Sequence, residues 1–205
     1  MYLGGLCFIT DRKACDLTSK EMADIALRAG VRWLQYREKN NSRRKTYEEA
    51  LRLKKMAEKF NAVFIVNDHT DIAIAVNADG VHLGQEDMPL KEARKILGKE
   101  KIIGISTHTI EQAAEAETGG ADYIGFGPIF KTGTKDTGEP KGIAMLKEIK
   151  RSVKIPVVAI GGINRGNIIS VLDSGADAVA IASAILKGDI CDNIACFLKM
   201  TRNRQ

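Results

Sequence analysis

Two acidic side chains follow buried, strand-like segments closely enough to act together. The run VFIV (63–66) leads directly into Asn67 and Asp68, and Asp87 ends the run GQED (84–87) after the next apolar segment. An amide and a carboxylate at the end of a buried strand are costly to desolvate unless something binds them. Mg²⁺ is usually held by one or two carboxylates together with substrate phosphates. We therefore predict that Asp68 and Asp87 hold Mg²⁺ against a diphosphate, with helix capping as the alternative role for each.

Two cations lie on the strand that is expected to neighbour the strand of Asp68. Arg37 and Lys39 belong to the run QYREK (35–39). Carboxylates flanked by cations suit a diphosphate bridged by a metal ion, and Asn67 can add a neutral hydrogen bond to the organic part of the ligand. Lys135 stands in the one long irregular segment, 127–142, which we predict to be a mobile loop.

A second phosphate region is indicated by small residues after the last two apolar runs. Gly161-Gly162 follows the seventh run and Ala182-Ser183 follows the eighth. Barrel enzymes often bind a phosphate there through close-approaching glycine backbone and a helix N-terminus. A tight turn at the glycines and an N-cap at Ser183 are the alternative readings. Two phosphate regions at one site predict a reaction that joins two phosphorylated molecules, with diphosphate as the leaving group.

Alternating strands and helices must position these residues. Eight apolar runs alternate with eight segments of helical periodicity, which predicts parallel strands covered by helices. This pattern favours an α/β fold, a (β/α)8 or TIM barrel, as a single domain over residues 1–205. A doubly wound sheet is the alternative, but it commonly has a Gly-rich loop where this chain has ITDRKAC. The predicted strands are 6–10, 33–36, 63–66, 80–83, 102–105, 123–126, 156–160 and 178–181; the predicted helices are 19–29, 43–60, 70–76, 89–97, 109–118, 142–151, 164–173 and 183–200.

An internal repeat supports the barrel. The segments NADGVHLG (77–84), GADYIGFG (120–127) and GADAVAIA (175–182) each place Ala-Asp just before a predicted strand. Each segment reads as a helix end and a short turn that lead into an even-numbered strand. The segment AGVRWLQY (29–36) is a looser copy.

Composition excludes several other classes of protein. Of the 205 residues, 44% are hydrophobic and 28% are charged, which is typical of a soluble globular domain. The apolar runs are too short for a membrane span, and no signal peptide is evident, so we expect a cytoplasmic protein. The net charge of +5 is spread along helices, so nucleic-acid binding is not expected. Four scattered cysteines and three scattered histidines match neither a disulfide framework nor a zinc site.

The chain resembles the thiamine phosphate synthase family through nearly its whole length. The resemblance rests on QYREK, VNDHTDIAIAVNADGVHLGQEDMP, ISTHT, GADYIGFGPIFKTGTK and AIGGIN, in this order and spacing. It implies a transferase that condenses a hydroxymethylpyrimidine diphosphate with a thiazole phosphate, or its carboxylated form, and releases diphosphate. Small phosphorylated substrates and Mg²⁺ are implied as partners and cofactor, and a homo-oligomer is expected from the resemblance alone.

The resemblance also implies roles for individual residues. Asp68 and Asp87 are expected to bind the metal ion, and Arg37, Lys39, Ser106 and Lys135 to act in catalysis. The chain departs from the family in the loop, where proline is common at the positions of Lys131 and Gly133, and at Ala182, where a branched residue is common. The pyrimidine diphosphate is expected to contact Gln35, Tyr36, Arg37, Glu38, Lys39, Asn67, Ser106 and Lys135, and the thiazole phosphate Thr132, Gly133, Thr134, Gly162, Ala182 and Ser183.

Two rival functions remain at this point. A related barrel is a thiazole tautomerase, whose proton transfer needs an acid or base after the sixth strand, where this chain has Pro128. A regulatory protein that only senses a phosphorylated metabolite would need neither the two aspartates nor Lys135. The synthase reaction needs no general base or covalent nucleophile, and no Ser-His-Asp pattern is evident in the sequence.

Overall fold

Eight parallel strands close into a barrel in the computed structural model of the chain, which describes residues 3–133 and 139–202. Each strand pairs with its neighbours in chain order, and the last strand pairs with the first to close the ring. The predicted (β/α)8 barrel is therefore confirmed. The strands are β1 (Gly5–Ile9), β2 (Trp33–Tyr36), β3 (Val63–Asn67), β4 (Gly80–Leu83), β5 (Ile102–Thr107), β6 (Tyr123–Phe126), β7 (Val157–Ile160) and β8 (Ala178–Ile181).

Helices connect successive strands around the outside of the barrel. The single helix predicted at 183–200 is wrong, because residues 187–189 divide it into two helices. Gly188 has a φ of +77°, a left-handed conformation that glycine adopts without steric cost. The helices are α1 (Ser19–Arg28), α2 (Arg43–Lys59), α3 (Thr70–Ala75), α4 (Leu90–Leu97), α5 (Ile110–Thr118), α6 (Gly142–Ser152), α7 (Ile168–Asp173), α8 (Ser183–Leu186) and α9 (Ile190–Arg202).

Alternate residues of each strand face the barrel interior and the helix layer. In β1, Cys7 and Ile9 belong to the cluster inside the barrel, whereas Leu6 and Phe8 pack in the larger cluster between strands and helices. This alternation follows from the two-residue period of a strand, which sends successive side chains to opposite faces. A polar residue at an inward position near a strand's carboxyl end therefore points towards the mouth of the barrel. None of the helices in the described ranges is long and apolar enough to cross a lipid bilayer.

The repeated Ala-Asp segments have a structural explanation at the amino end of the barrel. Asp79 accepts a hydrogen bond from the backbone N–H of Phe64 at 2.8 Å and pairs with Lys54 of α2. Asp122 and Asp177 do the same for Ile103 and Val157, with Arg94 and Lys150 as their cations. Each aspartate thus holds the start of the preceding odd-numbered strand and fastens a helix to it. The repeat stabilises the barrel and lies away from its mouth.

We expect Asp177→Ala to lower the free energy of unfolding by about 1–3 kcal/mol. The substitution removes the acceptor, 2.7 Å away, for the N–H of Val157, a buried residue, and an unsatisfied buried donor has about this cost. Urea unfolding followed by circular dichroism measures the change. Glu100→Ala removes a carboxylate from an exposed position and serves as the control, with little expected effect. Equal stability of the two variants would contradict this role for Asp177.

Candidate active site

An open cavity lies at the carboxyl ends of the strands. About 830 Å³ of space free of protein atoms lies within it, part of which is continuous with open solvent. Arg37 and Ser106 line one part of it, and Gly161, Gly162 and Ala182 line another. The cavity therefore has a polar wall and a wall of small residues with accessible backbone, as the sequence predicted from the strand ends.

The two predicted metal ligands meet at the carboxyl ends of β3 and β4. The carboxyl groups of Asp68 and Asp87 lie within hydrogen-bond reach of each other. Lys39 forms an ion pair with Asp68, and the backbone N–H of Gly84 donates to Asp87 Oδ2 at 2.6 Å. Helix capping by Asp68 is not supported, because His69 occupies the N-cap of α3 and the helix start has no side-chain cap.

The pKa values of the two aspartates move in opposite directions. Burial tends to raise the pKa of Asp68, but the hydrogen bond from Lys39 and contact with Asp87 leave it below its usual value. Burial raises the pKa of Asp87, and the nearby Asp68 carboxylate raises it further, against a lowering by the Gly84 N–H. Two carboxylates in contact repel each other unless a proton or a cation lies between them. The pair therefore fits a divalent cation, and Asp68 adopts a left-handed φ of +66° to reach this position.

Arg37 is held at the mouth through its backbone. Its N–H donates to the hydroxyl of Thr10 at 3.0 Å, which links the ends of β1 and β2. Glu38, the next residue, is turned back into its own loop, where its Oε1 accepts the N–H groups of Lys39 and Asn40 at 2.9 and 2.8 Å. The carboxylate of Glu38 thus shapes the loop that carries Arg37 and Lys39.

A chain of polar side chains inside the barrel leads to Ser106. His82 places Nδ1 2.9 Å from the Tyr123 hydroxyl and Nε2 2.9 Å from the Ser106 hydroxyl oxygen, and Gln35 lies beside the Tyr123 hydroxyl. Burial raises the pKa of Tyr123 well above its usual value, so this hydroxyl stays protonated. When Tyr123 donates to Nδ1, Nε2–H donates to Ser106. The hydroxyl hydrogen of Ser106 is then free to donate to a ligand in the cavity.

Two inward-facing glycines make room for this chain. A Cβ at Gly104 would lie 2.1 Å from the Tyr123 ring, and a Cβ at Gly125 would lie 2.9 Å from the His82 ring. Neither contact is sterically tolerable without a shift of the ring. The glycines of IIGI and YIGF are thus required by the side chains on neighbouring strands.

The wall of small residues is built around a tight turn after β7. Gly161 and Gly162 have φ values of +97° and +67°, and the carbonyl of Gly162 accepts a hydrogen bond from Asn167 Nδ2 at 2.9 Å. A Cβ at Gly162 would lie 2.6 Å from the carbonyl oxygen of Lys131 and 2.7 Å from Cβ of Phe130. Gly162 is therefore required by its packing against the loop after β6. The tight turn predicted as the alternative reading is present, and it forms part of the cavity wall.

Six of the predicted site residues line the cavity, whereas Glu38, Lys39, Asp68, Asp87 and Gly133 do not. Ser106, Thr132, Ala182 and Ser183 line the cavity with Arg37 and Gly162, and Gln35 and Asn67 are inward-facing ends of β2 and β3. The side chain of Tyr36 faces the helix layer instead, where its hydroxyl donates to Glu49 of α2 at 2.8 Å. Only the backbone of Tyr36 is available at the mouth, because Gln35 occupies the inward position beside it.

Part of the loop after β6 lies outside the described residues. Thr134 and Lys135 fall in the segment 134–138, so their predicted contacts stay predictions, as does the mobility of the loop 127–142. Gly133, the last residue described before this segment, is exposed and does not line the cavity.

Sequence reasoning missed residues that the fold places at the site. His82 and Tyr123 lie within strands, and the two-residue alternation of GVHL and YIGF would have placed both inside the barrel. Asp11 and His108 line the cavity, although they stand in loops just beyond the ends of β1 and β5. Both residues stand close to a strand end, which was the available clue in the sequence. The direction of their side chains could not be predicted, because loop residues do not follow the two-residue period of a strand.

Comparison with known proteins shows the family to which the chain belongs. A family model described as thiamine monophosphate synthase matches residues 6–185, which is most of the chain. The chain belongs to the thiamine monophosphate synthase family. The resemblance inferred from QYREK, the aspartate-containing segment and AIGGIN is thereby confirmed, as is the prediction of a transferase that makes thiamine phosphate.

Individual members of the family match over nearly the full chain. The thiamine-phosphate synthase of Clostridium novyi (strain NT) is 50% identical over 186 residues, which cover 90% of this chain and 91% of that protein. The thiamine-phosphate synthase of Clostridium acetobutylicum is 49% identical over 184 residues, covering 88% and 86%. The structure of a thiamine phosphate pyrophosphorylase from Pyrococcus furiosus superposes with a TM-score of 0.89 at 39% identity, covering 97% and 96% of the two chains.

Proposed function

We propose that this chain joins 4-amino-2-methyl-5-hydroxymethylpyrimidine diphosphate to 4-methyl-5-(2-hydroxyethyl)thiazole phosphate, forming thiamine phosphate and diphosphate. The observation that carries the proposal is the cavity with two unlike walls at the barrel mouth. Arg37 and Ser106 offer donors on one side, and the backbone at Gly161-Gly162 with Ala182 and Ser183 offers a phosphate pocket on the other. Membership of the family supports the same assignment of substrates.

The reaction requires little acid–base chemistry from the protein. The C–O bond between the pyrimidine methylene and the diphosphate breaks, and its electron pair leaves with the diphosphate. The resulting carbenium ion is stabilised by the amino group of its own ring. The lone pair of the thiazole nitrogen then forms the C–N bond, and because that nitrogen carries no proton, none is released. The contribution of the protein is to hold the reactants in line and to stabilise the leaving diphosphate.

Arg37, Lys39 and Ser106 are proposed to receive the diphosphate. Arg37 and Ser106 line the cavity, and the hydrogen-bond chain through His82 directs the Ser106 hydroxyl towards it. Donors fixed in this way stabilise negative charge as it develops on the leaving group without having to reorient. Lys39 is paired with Asp68, so its charge neutralises that carboxylate until the diphosphate and its cation bind.

Mg²⁺ is the proposed cofactor, with Asp68 and Asp87 as its protein ligands. Two neighbouring carboxylates at the carboxyl ends of β3 and β4 fit an ion that keeps several waters and takes further oxygens from a substrate. When bound, Mg²⁺ neutralises charge on the diphosphate and makes it a better leaving group. No group of three or more acidic, histidine or cysteine side chains in the described residues is arranged to hold a metal ion, so the two aspartates would need further ligands from substrate and water.

The cellular compartment and the oligomeric state of the protein are proposed from its cysteines and from the family resemblance. All four cysteines lie in the described residues and none forms a disulfide, which supports a reducing, cytoplasmic environment. Burial raises the pKa of the Cys7 thiol far above its usual range, so this cysteine is a packing residue inside the barrel. A homo-oligomer is proposed from the family resemblance, and size-exclusion chromatography with light scattering tests it.

Product formation is the direct test of the proposed function. We expect the purified chain with Mg²⁺ and both substrates to release diphosphate and thiamine phosphate in equal amounts, and to form neither product when one substrate is omitted. Enzymatic detection of diphosphate and chromatography of thiamine phosphate measure the two products. Isomerisation of a thiazole carboxylate phosphate without any diphosphate release would identify a tautomerase instead. Binding of the substrates without turnover would identify a regulatory protein.

A further inference from the structure

Asp11 carries the only carboxylate among the described residues that line the cavity. It lies just beyond the end of β1, and its surface is 4% exposed. Taking a carboxylate out of water is costly unless it gains a partner. The metal ligands Asp68 and Asp87 belong to β3 and β4, so Asp11 is a separate acidic group on another part of the rim.

The barrel order places Asp11 between the two proposed substrate regions. β1 is hydrogen-bonded to β8 on one side and to β2 on the other. The thiazole phosphate region is built from residues after β7 and β8, and the diphosphate region begins with Arg37 after β2. A side chain that follows β1 and lines the shared cavity therefore faces the zone where the two rings must meet to form a bond.

One oxygen of Asp11 has a structural role and the other does not. Oδ1 accepts the backbone N–H of Lys13 at 3.1 Å, and the backbone carbonyl of Asp11 accepts the N–H of Ala14 at 3.0 Å. This is an Asx-type turn, a frequent use of aspartate at the start of a loop. Within residues 3–133 and 139–202, Oδ2 has no hydrogen-bond donor, and no cationic side chain lies within 4 Å of the carboxylate. The turn uses Oδ1, and Oδ2 is not among the fully buried unpaired atoms of the described residues, so it keeps access to the cavity that Asp11 lines.

The chemistry of the proposed function supplies a positive partner for this oxygen, and the inference rests on that function. Both substrate rings enter the reaction uncharged. Loss of diphosphate leaves a positive charge on the pyrimidine methylene, and C–N bond formation transfers that charge to the thiazole nitrogen, which becomes a thiazolium. We propose that Asp11 is a catalytic residue whose carboxylate stabilises the positive charge as it passes from the pyrimidine methylene to the thiazolium.

This role predicts a selective effect of removing the charge. The thiazole phosphate is bound before its ring is charged, so Asp11 contributes little to its affinity. The carbenium ion and thiamine phosphate carry the ring charge, so both are stabilised. Interactions that strengthen only as charge develops raise kcat without changing substrate affinity.

Asp11→Asn is the variant that isolates this effect. Asparagine keeps an oxygen for the N–H of Lys13, so the turn is retained while the charge is lost. We expect kcat to fall by about 10²-fold, as for loss of one preorganised electrostatic contact, with little change in KM for either substrate. Asp16→Asn makes the same change at an exposed position of the same loop and is expected to behave like the wild type.

A binding measurement gives a readout that a purely structural role would not change. Isothermal titration compares thiamine phosphate with a neutral isostere in which a carbon atom replaces the thiazolium nitrogen. We expect the wild type to prefer the cationic ligand by at least about tenfold, and Asp11→Asn to lose that preference. The wild-type comparison needs no variant, so it stands even if the variant folds poorly.

The outcomes separate this inference from the proposed function. If the wild type makes thiamine phosphate but binds the cation and its neutral isostere equally, the role of Asp11 is overturned and the synthase assignment stands. A retained preference in Asp11→Asn overturns it as well. If the wild type makes no thiamine phosphate, the proposed function itself fails.

Discussion

Asp87→Asn is expected to lower kcat by on the order of 10²- to 10³-fold while the barrel stays folded. Asparagine still offers an oxygen to the N–H of Gly84, which donates to Asp87 at 2.6 Å, so the loop after β4 is preserved. The substitution removes one of two carboxylates that lie in contact, and with it the charge that attracts a divalent cation. The leaving diphosphate would then keep more of its negative charge in the transition state.

Diphosphate release measured across a range of Mg²⁺ concentrations tests this expectation. Asp87→Asn is expected to need a higher Mg²⁺ concentration for half of its maximal rate, and the wild type is expected to lose activity in excess chelator. Glu86→Gln removes one charge from the adjacent exposed residue and is the matched control. Full activity of the metal-stripped wild type would show that the two aspartates do not act through a metal ion.

Ser183→Asp is expected to raise KM for the thiazole phosphate by about 10³-fold. Ser183 lines the cavity beside Ala182 and is the first residue of α8, so a carboxylate there would face the bound phosphate. Two like charges about 4 Å apart repel by about 4 kcal/mol at an effective dielectric constant near 20, which corresponds to about 10³ in affinity. An aspartate is tolerated in the first turn of a helix, so the fold should be retained.

The two-site arrangement is tested by comparing how each variant changes KM for the two substrates. Ser183→Asp is expected to change KM for the pyrimidine diphosphate little, and Arg37→Ala is expected to raise KM for the diphosphate substrate alone. Ser170→Asp on an exposed face of α7 is the control for added charge. If Ser183→Asp and Arg37→Ala each weakened both substrates equally, the assignment of the phosphates to separate walls would be wrong. Gly162→Val is unsuitable, because its side chain would strike Phe130 and Lys131 before it reached a ligand.

The local sequence was sufficient to predict the barrel and the strand ends that carry the site. The alternation of apolar runs with helical segments depends on hydrophobic periodicity, and eight such units close a parallel barrel. Because the carboxyl ends of parallel strands meet at one face, Asp68, Asp87 and Ser106 could be assigned to one site without knowledge of their contacts. The break between α8 and α9 was also marked in the sequence, by Gly188, but the apolar residues on both sides continued the helical pattern.

Only the tertiary structure decided how these side chains are used. Tyr36 was expected at the site with Gln35, but adjacent strand residues face opposite sides, and Tyr36 packs against α2. Asp11 could not be chosen from sequence, since a residue beyond a strand end no longer follows the strand period and its burial depends on the loops around it.

The sequence by itself determined the fold, the family and the polar residues at the strand ends, because these depend on the order and spacing of residue types along the chain. The tertiary structure decided that Lys39 pairs with Asp68, that His82 lies within hydrogen-bond distance of Ser106, and that Gly162 packs against the loop after β6. These contacts join residues 24 to 32 positions apart on different strands and loops, and their geometry exists only once the barrel has closed.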